Sequence, residues 1–347
     1  MPAQRLKLGL IGAGRIGRLH AENLTTRIPA AELLAVADPY ADAARECAER
    51  YDIPEHGQDY QHILQRPDIQ AVLICSSTDT HARMIAEAAR AGKHVFCEKP
   101  ISLDLSSIDR ALAAAELAGV KLQIGFNRRF DANYRRVRQA VERGEIGQPR
   151  MLHLISRDPA PPSLEYIRVS GGLFLDMAIH DFDMARFLVG SEVEEVFVQA
   201  AALNDPQIGA AGDVDTALTL LRFRNGVIGT ISNSRQAAYG YDQRAELLGS
   251  AGAISIENNY PNTAVLGTAQ SVSRDLPLHF FLERYTESFV TEMNAFVQAV
   301  LHDGPVPVSG ADGRMSVLIG LAAGRSLEEH RPVCLSEIAS QNRENSL

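Results

Sequence analysis

The segment Gly12-Ala13-Gly14-Arg15-Ile16-Gly17 constrains the fold of this chain more than any other. It follows an apolar run, residues 7–11, that reads as a strand, and it opens a helical pattern over 16–25. Glycines at that spacing suit a strand–turn–helix unit. The first permits a tight turn, the second lets backbone approach a ligand, and the third allows close packing of helix on strand. An acidic residue, Asp38, ends the next strand candidate (33–37), about 20 positions on. Further strand candidates at 71–75, 94–97 and 121–125 alternate with helical patterns at 41–51, 80–91 and 105–118. Asp104 or Ser102 is placed to cap the last of these helices. Short apolar strands between helices predict βαβ units around a parallel sheet buried on both faces.

In such a unit the helix N-terminus receives the negative charge of a pyrophosphate. A carboxylate at Asp38 accepts both hydroxyls of an adenosine ribose and repels a 2′-phosphate, and no Lys or Arg follows in Asp38-Pro39-Tyr40. The expected cofactor is NAD, held by Gly12, Ala13, Gly14, Arg15, Ile16, Gly17 and Asp38. Ser76, Ser77 and Thr78 end the strand at 71–75. They line the cofactor crevice, cap the next helix, or divide the two roles among them. Ser76, Thr78, His81 and Glu98 are taken as further cofactor contacts.

The pattern changes from about Met151. A helical stretch over 172–189 precedes strand-like runs at 194–202, 216–222, 227–232, 243–248, 253–257 and 263–267. Arg224-Asn225-Gly226 suggests a type I′ hairpin, and Gly249-Ser250-Ala251-Gly252 a second one. Helical patterns at 281–302 and 311–329 follow. The fold class expected is α/β plus α+β: a Rossmann domain (1–125), an open, mostly antiparallel sheet domain for substrate and oligomerisation (126–335), and a polar tail (336–347). The helix at 311–329 is expected to pack back on the first domain.

The 347 residues fit a two-domain chain. With 34 basic against 43 acidic residues the net charge is −9, which disfavours nucleic acid as a partner. No apolar run is long enough for a membrane span, and the N-terminus lacks the pattern of a secretory signal. Four scattered cysteines with no CxxC suit neither a zinc knuckle nor a disulfide framework, so a cytoplasmic setting is expected.

Chemistry is signalled by Glu98-Lys99-Pro100 after the strand at 94–97, by Gly125-Phe126-Asn127-Arg128-Arg129-Phe130-Asp131, and by the stretch from Gly171-Gly172 through Asp176 and His180. Asp176 and His180 are i and i+4 and share a helix face. The two glycines are read as allowing backbone to approach something bound. Asp176, His180 and Asp183 also have the spacing of a metal stripe, but hydride chemistry makes a metal unnecessary, and none is expected. His20 and His153 are read as structural. Phe289, Met293, Phe296, Val297 and Val300 are read as a core stripe.

Taken together, these motifs resemble the glucose-fructose oxidoreductase / inositol dehydrogenase / rhizopine-catabolism family (Gfo/Idh/MocA) over nearly the whole chain, with the inositol 2-dehydrogenase branch most similar. Tyr239-Gly240-Tyr241-Asp242 and Arg284-Tyr285 also resemble that branch. The resemblance implies an NAD-dependent oxidoreductase of polyol catabolism and a homotetramer. Its substrate would be a small cyclic polyol or sugar, myo-inositol foremost, with scyllo-inositol or a pyranose as alternatives. It implies Lys99, Asp176 and His180 as the catalytic set, and these three with Asn127, Arg128, Tyr239, Tyr241 and Tyr285 as the substrate pocket. A non-catalytic NAD-binding sensor is the rival from another class.

Overall fold

A computed structural model describes residues 4–344. It comprises two compact units, Met1–Phe130 with Glu287–Val317, and Asp131–Thr286 with Leu318–Leu347.

The first unit is built on β1 (Leu6–Ile11), α1 (Arg15–Thr26), β2 (Ala31–Ala37), α2 (Ala41–Arg50), β3 (Glu55–Gly57), α3 (Gln61–Gln65), β4 (Ala71–Ile74), α4 (Thr78–Arg90), β5 (His94–Glu98), α5 (Leu105–Ala118) and β6 (Leu122–Gly125). Its strands form one parallel sheet in the order β3-β2-β1-β4-β5-β6. The order reverses at β1/β4, where open α/β sheets bind ligands outside the carboxyl ends of the strands. The register aligns those ends: Ile11 pairs with Ala37 and Ile74, Ile74 with Cys97, and Glu98 with Gly125. Glycine loop, Asp38, Ser76, Lys99 and Asn127 therefore follow one edge of one sheet. The interior is Leu6, Leu8, Leu10, Leu33, Val36, Leu73 and Phe96, and Met293, Phe296 and Val297 complete it as expected. Asp104 caps α5, its carboxylate accepting the Ser107 N–H at 2.8 Å. β3 has no counterpart in the sequence reading, because its three residues, Glu-His-Gly, carry no apolar signal.

The second unit opens with α6 (Ala132–Glu142), β7 (Pro149–Arg157), α7 (Leu164–Ser170), α8 (Ile179–Val189), β8 (Val193–Ala201), α9 (Pro206–Ala210), β9 (Thr216–Phe223), β10 (Ile228–Ser234), β11 (Asp242–Gly249), β12 (Ala253–Ile256), β13 (Val265–Gly267), β14 (Val272–Arg274) and α10 (Phe281–Arg284). The chain then runs through α11 (Thr286–Leu301), α12 (Gly310–Glu329), β15 (Val333–Cys334) and α13 (Leu335–Glu344). A seven-stranded sheet has the order β12-β11-β7-β10-β9-β8-β15, antiparallel except for the pair β7/β10. β9 alternates buried and exposed residues, the mark of a sheet with one face in the core.

Four expectations need correction. The stretch 172–189 is not one helix: Leu173–Met177 is a π-turn and α8 begins after it. The helical pattern at 281–302 is broken at Tyr285. Of the segment from Ser336, expected as a tail, residues 336–344 lie within α13, and the remainder falls outside the described residues. In the Asn225-Gly226 hairpin only Gly226 takes a positive φ (85°), so the connection is not type I′; it is a tight turn followed by a left-handed glycine.

Candidate active site

The first unit forms a dinucleotide cradle. Gly12 has φ +100°, and a Cβ there would lie 2.6 Å from the Cys75 backbone. A Cβ at Gly17 would lie 1.9 Å from the Gly12 carbonyl oxygen. At Gly14 it would meet nothing within 4 Å, so this glycine leaves open the space before the helix. α1 has no side-chain cap and no acidic residue in its first turn, an N-terminus whose dipole suits an anion. Asp38 is buried, one oxygen accepting the Ala13 N–H at 2.8 Å and the other the Tyr40 N–H at 2.9 Å. These residues fit NAD: an open anion site, and a carboxylate fixed against the glycine loop.

The neighbouring residues divide. Ser76 Oγ and Thr80 Oγ1 lie 2.6 Å apart, and Ser77, at the N-cap of α4, makes no side-chain cap bond. The capping alternative is thus not realised by Ser77. Thr78, the first residue of α4, is half-buried. His81 is fully buried with both ring nitrogens on backbone carbonyls, Pro100 at 2.8 Å and Ser76 at 3.0 Å. This corrects its reading as a cofactor contact: it braces the β4 end against the segment that follows Lys99. Glu98 turns to His20, Oε1 lying 2.8 Å from Nε2. Its carboxylate also lies over Gly125, where a Cβ would approach to 2.9 Å. Glu98 is therefore anchored inside the unit through one carboxylate oxygen, with part of its side chain still exposed. His20, read as structural, supplies that partner and packs edge-on to Phe96 and Phe289. Burial pushes the Cys75 and Cys97 thiols up, so both stay protonated and inert. Lys99 follows β5 directly and is half-buried. Asn127 and Arg128 begin a short 3₁₀ turn, Asn127–Phe130, and both are buried. The Asn127 Nδ2 has no hydrogen-bond partner.

In the second unit Asp176 lies on the π-turn and His180 in the first turn of α8. Asp176 Oδ1 accepts the Tyr166 hydroxyl at 2.9 Å, and Oδ2 faces Arg235 Nη1 at 3.3 Å. What approaches the glycine pair is the Asp213 carboxylate: a Cβ at Gly172 would lie 2.6 Å from its Oδ1, which accepts the Leu173 N–H at 3.0 Å. The glycines therefore admit a side chain of the protein itself. Asp183 is buried with Arg186 Nη1 at 3.8 Å, and Asp181 accepts the Asn233 amide at 2.8 Å. Among the described residues no group of three His, Cys, Asp or Glu side chains is disposed to hold a metal ion.

The three tyrosines part ways. Tyr241 and Tyr285 are buried and meet edge-on, with ring centroids 6.0 Å apart. Tyr239 is 38% exposed, donates to Asp242 at 2.5 Å and accepts from Arg157 at 2.9 Å. Burial pushes the Asp242 carboxyl up, but hydrogen bonds from Arg244, Tyr239 and Asn258 outweigh it and hold the group below its ordinary range. Tyr166, Arg235 and Asp213 had no sequence signal, since none lies in a periodic pattern or a recognised motif.

Comparisons agree with this architecture. Residues 6–126 match the oxidoreductase family with an NAD-binding Rossmann fold, and residues 134–255 match the GFO/IDH/MocA C-terminal domain. The chain is 50% identical to a myo-inositol 2-dehydrogenase of Thermotoga maritima, over 96% of this chain and 99% of that one. It is 44% identical to an inositol 2-dehydrogenase of Rhizobium meliloti, over 95% and 99%. A crystal structure of scyllo-inositol dehydrogenase from Lactobacillus casei, with NAD(H) and scyllo-inositol bound, superposes with a TM-score of 0.90 at 31% identity, covering 96% of this chain and 100% of that one. The cradle, the mixed sheet and these full-length similarities have one conclusion: the chain belongs to the Gfo/Idh/MocA family of NAD-binding oxidoreductases.

Proposed function

We propose that this protein is an NAD-dependent dehydrogenase that oxidises a secondary hydroxyl of a cyclic polyol, myo-inositol foremost, to the corresponding inosose. The observation that carries this reading is the full-length similarity to the Thermotoga maritima myo-inositol 2-dehydrogenase. Bound NAD supplies the hydride acceptor. The chain's own residues handle the proton and the charge. His180 is the general base, since imidazole has an ordinary pKa of ~6.5, near operating pH. Asp176 orients the ring and stabilises the imidazolium. Lys99 donates a hydrogen bond to the reacting oxygen and stabilises developing alkoxide charge. Arg15, Ile16, Ser76 and Thr78 flank the cradle as cofactor contacts. Asn127 is a substrate contact: a buried donor without a partner is costly until a hydroxyl supplies one. Arg128, Tyr239, Tyr241 and Tyr285 complete the assignment, Tyr239 being half-exposed and the other three interior.

NADH formation on adding polyols to protein and NAD tests this reading. Turnover is expected to be highest with myo-inositol and severalfold better with NAD than with NADP. A preference for scyllo-inositol, the substrate named for the Lactobacillus casei structure, replaces the substrate assignment. Binding of NAD without turnover of any polyol or pyranose points to the sensor.

The assembly proposed is a homotetramer. Leu218, Leu220 and Ile228 are 50–59% exposed on one face of the seven-stranded sheet. Register places Leu220 beside Phe197 and Ile228 beside Met151, while Leu218 lies between Gln199 and Ser232 on the same face. A sheet face that exposes large apolar side chains in this way is normally buried against another copy. Light scattering is expected to give four times the monomer mass of 37.8 kDa; a stable monomer at micromolar concentration removes the proposal. Among the described residues no helix is long and apolar enough to cross a membrane. All four cysteines are free, which supports a reducing cytoplasm as the compartment.

A further inference from the structure

Arg235 is the largest fully buried side chain among the described residues, yet its polar atoms are poorly matched. Nη1 reaches Asp176 Oδ2 at 3.3 Å, and Nη2 stands 3.8 Å from Asp213 Oδ2. Nε and Nη2 have no hydrogen-bond partner, and neither has Asp213 Oδ2. A guanidinium buried for stability normally forms a bidentate fork with its carboxylate. This one spreads its charge over two carboxylates and closes on neither.

A role as a loop anchor does not account for the side chain. The loop is held through the backbone, Arg235 N–H donating to the Asp215 carbonyl at 2.8 Å. Asp215 in turn accepts the N–H groups of Leu203, Asn204 and Asp205. None of these bonds uses the guanidinium. What the guanidinium touches is Asp176, whose other oxygen is held by Tyr166. Asp176 is thus gripped at both oxygens, by a hydroxyl from α7 and a cation from the segment after β10, with Asp213 as the competing anion.

We propose that Arg235 is a positioning residue for the reaction: it fixes the Asp176 carboxylate in its ionised form and in the orientation that supports His180, and Asp213 tempers its charge. This rests on the reading of Asp176 and His180 as catalytic. The electrostatics give it a sign. Removing the cation raises the proton affinity of the Asp176–His180 couple, and removing the competing anion lowers it.

The experiment is the pH profile of kcat and KM for myo-inositol with NAD in the full chain, for Arg235→Met, Arg235→Lys, Asp213→Asn and Asp176→Asn, together with NAD binding followed by fluorescence. Arg235→Met is expected to lose roughly 10- to 100-fold in kcat, the range for partners that orient a reacting ligand. Its acid limb is expected to move up by about one pH unit, with NAD affinity within about twofold of wild type. Arg235→Lys keeps the charge and is expected to hold the acid limb near the wild-type position while recovering part of kcat. Asp213→Asn retains an acceptor for the Leu173 N–H and is expected to move the limb the opposite way. An Arg235→Met profile that superimposes on wild type overturns the proposal. If Arg235→Met yields no folded protein, Asp213→Asn decides: a limb unmoved or moved upward overturns it. Wild-type turnover in Asp176→Asn overturns instead the catalytic reading beneath it.

Discussion

His180→Ala is expected to lower kcat by about 10²–10⁴-fold, the usual loss on removing a general base. NAD affinity is expected to survive, because the glycine loop and Asp38 belong to the first unit and keep their own contacts. Lys99→Ala is expected to suppress turnover through loss of the cation beside the reacting oxygen. Asp176→Asn preserves shape but removes the charge that supports an imidazolium, so its deficit falls on kcat more than on KM. The three losses are expected to be non-additive, since each group is useless to the others once one is gone. Turnover and NAD binding measured side by side on the three variants check this. Near-wild-type kcat in His180→Ala at every pH from neutral to alkaline places the base on another residue.

Asp131→Ala is expected to be the most destabilising single change in the second unit. Asp131 caps α6, accepting the N–H groups of Asn133 and Tyr134 at 3.1 and 3.3 Å. The same carboxylate meets Arg284 at 2.5 and 3.2 Å. The Arg284 side chain is 2% exposed, so without Asp131 a guanidinium is stranded in the interior. Breaking a buried pair from one side costs about 3–5 kcal/mol, and losing the cap adds about 1 kcal/mol. The double change Asp131→Asn with Arg284→Met is expected to recover most of this loss, because the amide keeps the cap acceptor and the stranded charge is gone. Thermal unfolding followed by circular dichroism checks both statements. A midpoint for Asp131→Ala within about 1 °C of wild type refutes the account, since a loss of this size moves a domain by several degrees.

Where local sequence and tertiary demand agreed, the fold was legible from the chain alone. The glycine loop between an apolar strand and a helix, with Asp38 at the next strand end, fixes the first βαβ unit, because strand burial and turn sterics leave few other arrangements. α5 matches its expected bounds, Leu105–Ala118, with the carboxylate of Asp104 at its start. The hairpin at Asn225-Gly226 was legible in position but not in type. Strand pairing sets the turn there, and only the glycine needed the left-handed region.

Other features were decided only by contacts between residues far apart in sequence. β3 exists because β2 offers it an edge; nothing in Glu55-His56-Gly57 asks for a strand. The π-turn carrying Asp176 depends on Asp213, 40 residues from the N–H it accepts. Arg235 meets Asp176 across 59 residues, and Glu98 finds His20 across 78. Apolar periodicity is written into neighbouring residues, because helices and strands repeat over a few positions. A polar side chain's partner has no such period. It is chosen where burial leaves a donor or acceptor that water can no longer satisfy. Sequence alone therefore determined the cradle, the class of sheet and the residue types available for hydride chemistry. Which carboxylate is gripped, by what, and which histidine is turned inward to brace rather than outward to bind were decided by the tertiary structure, because only there do desolvated polar groups meet.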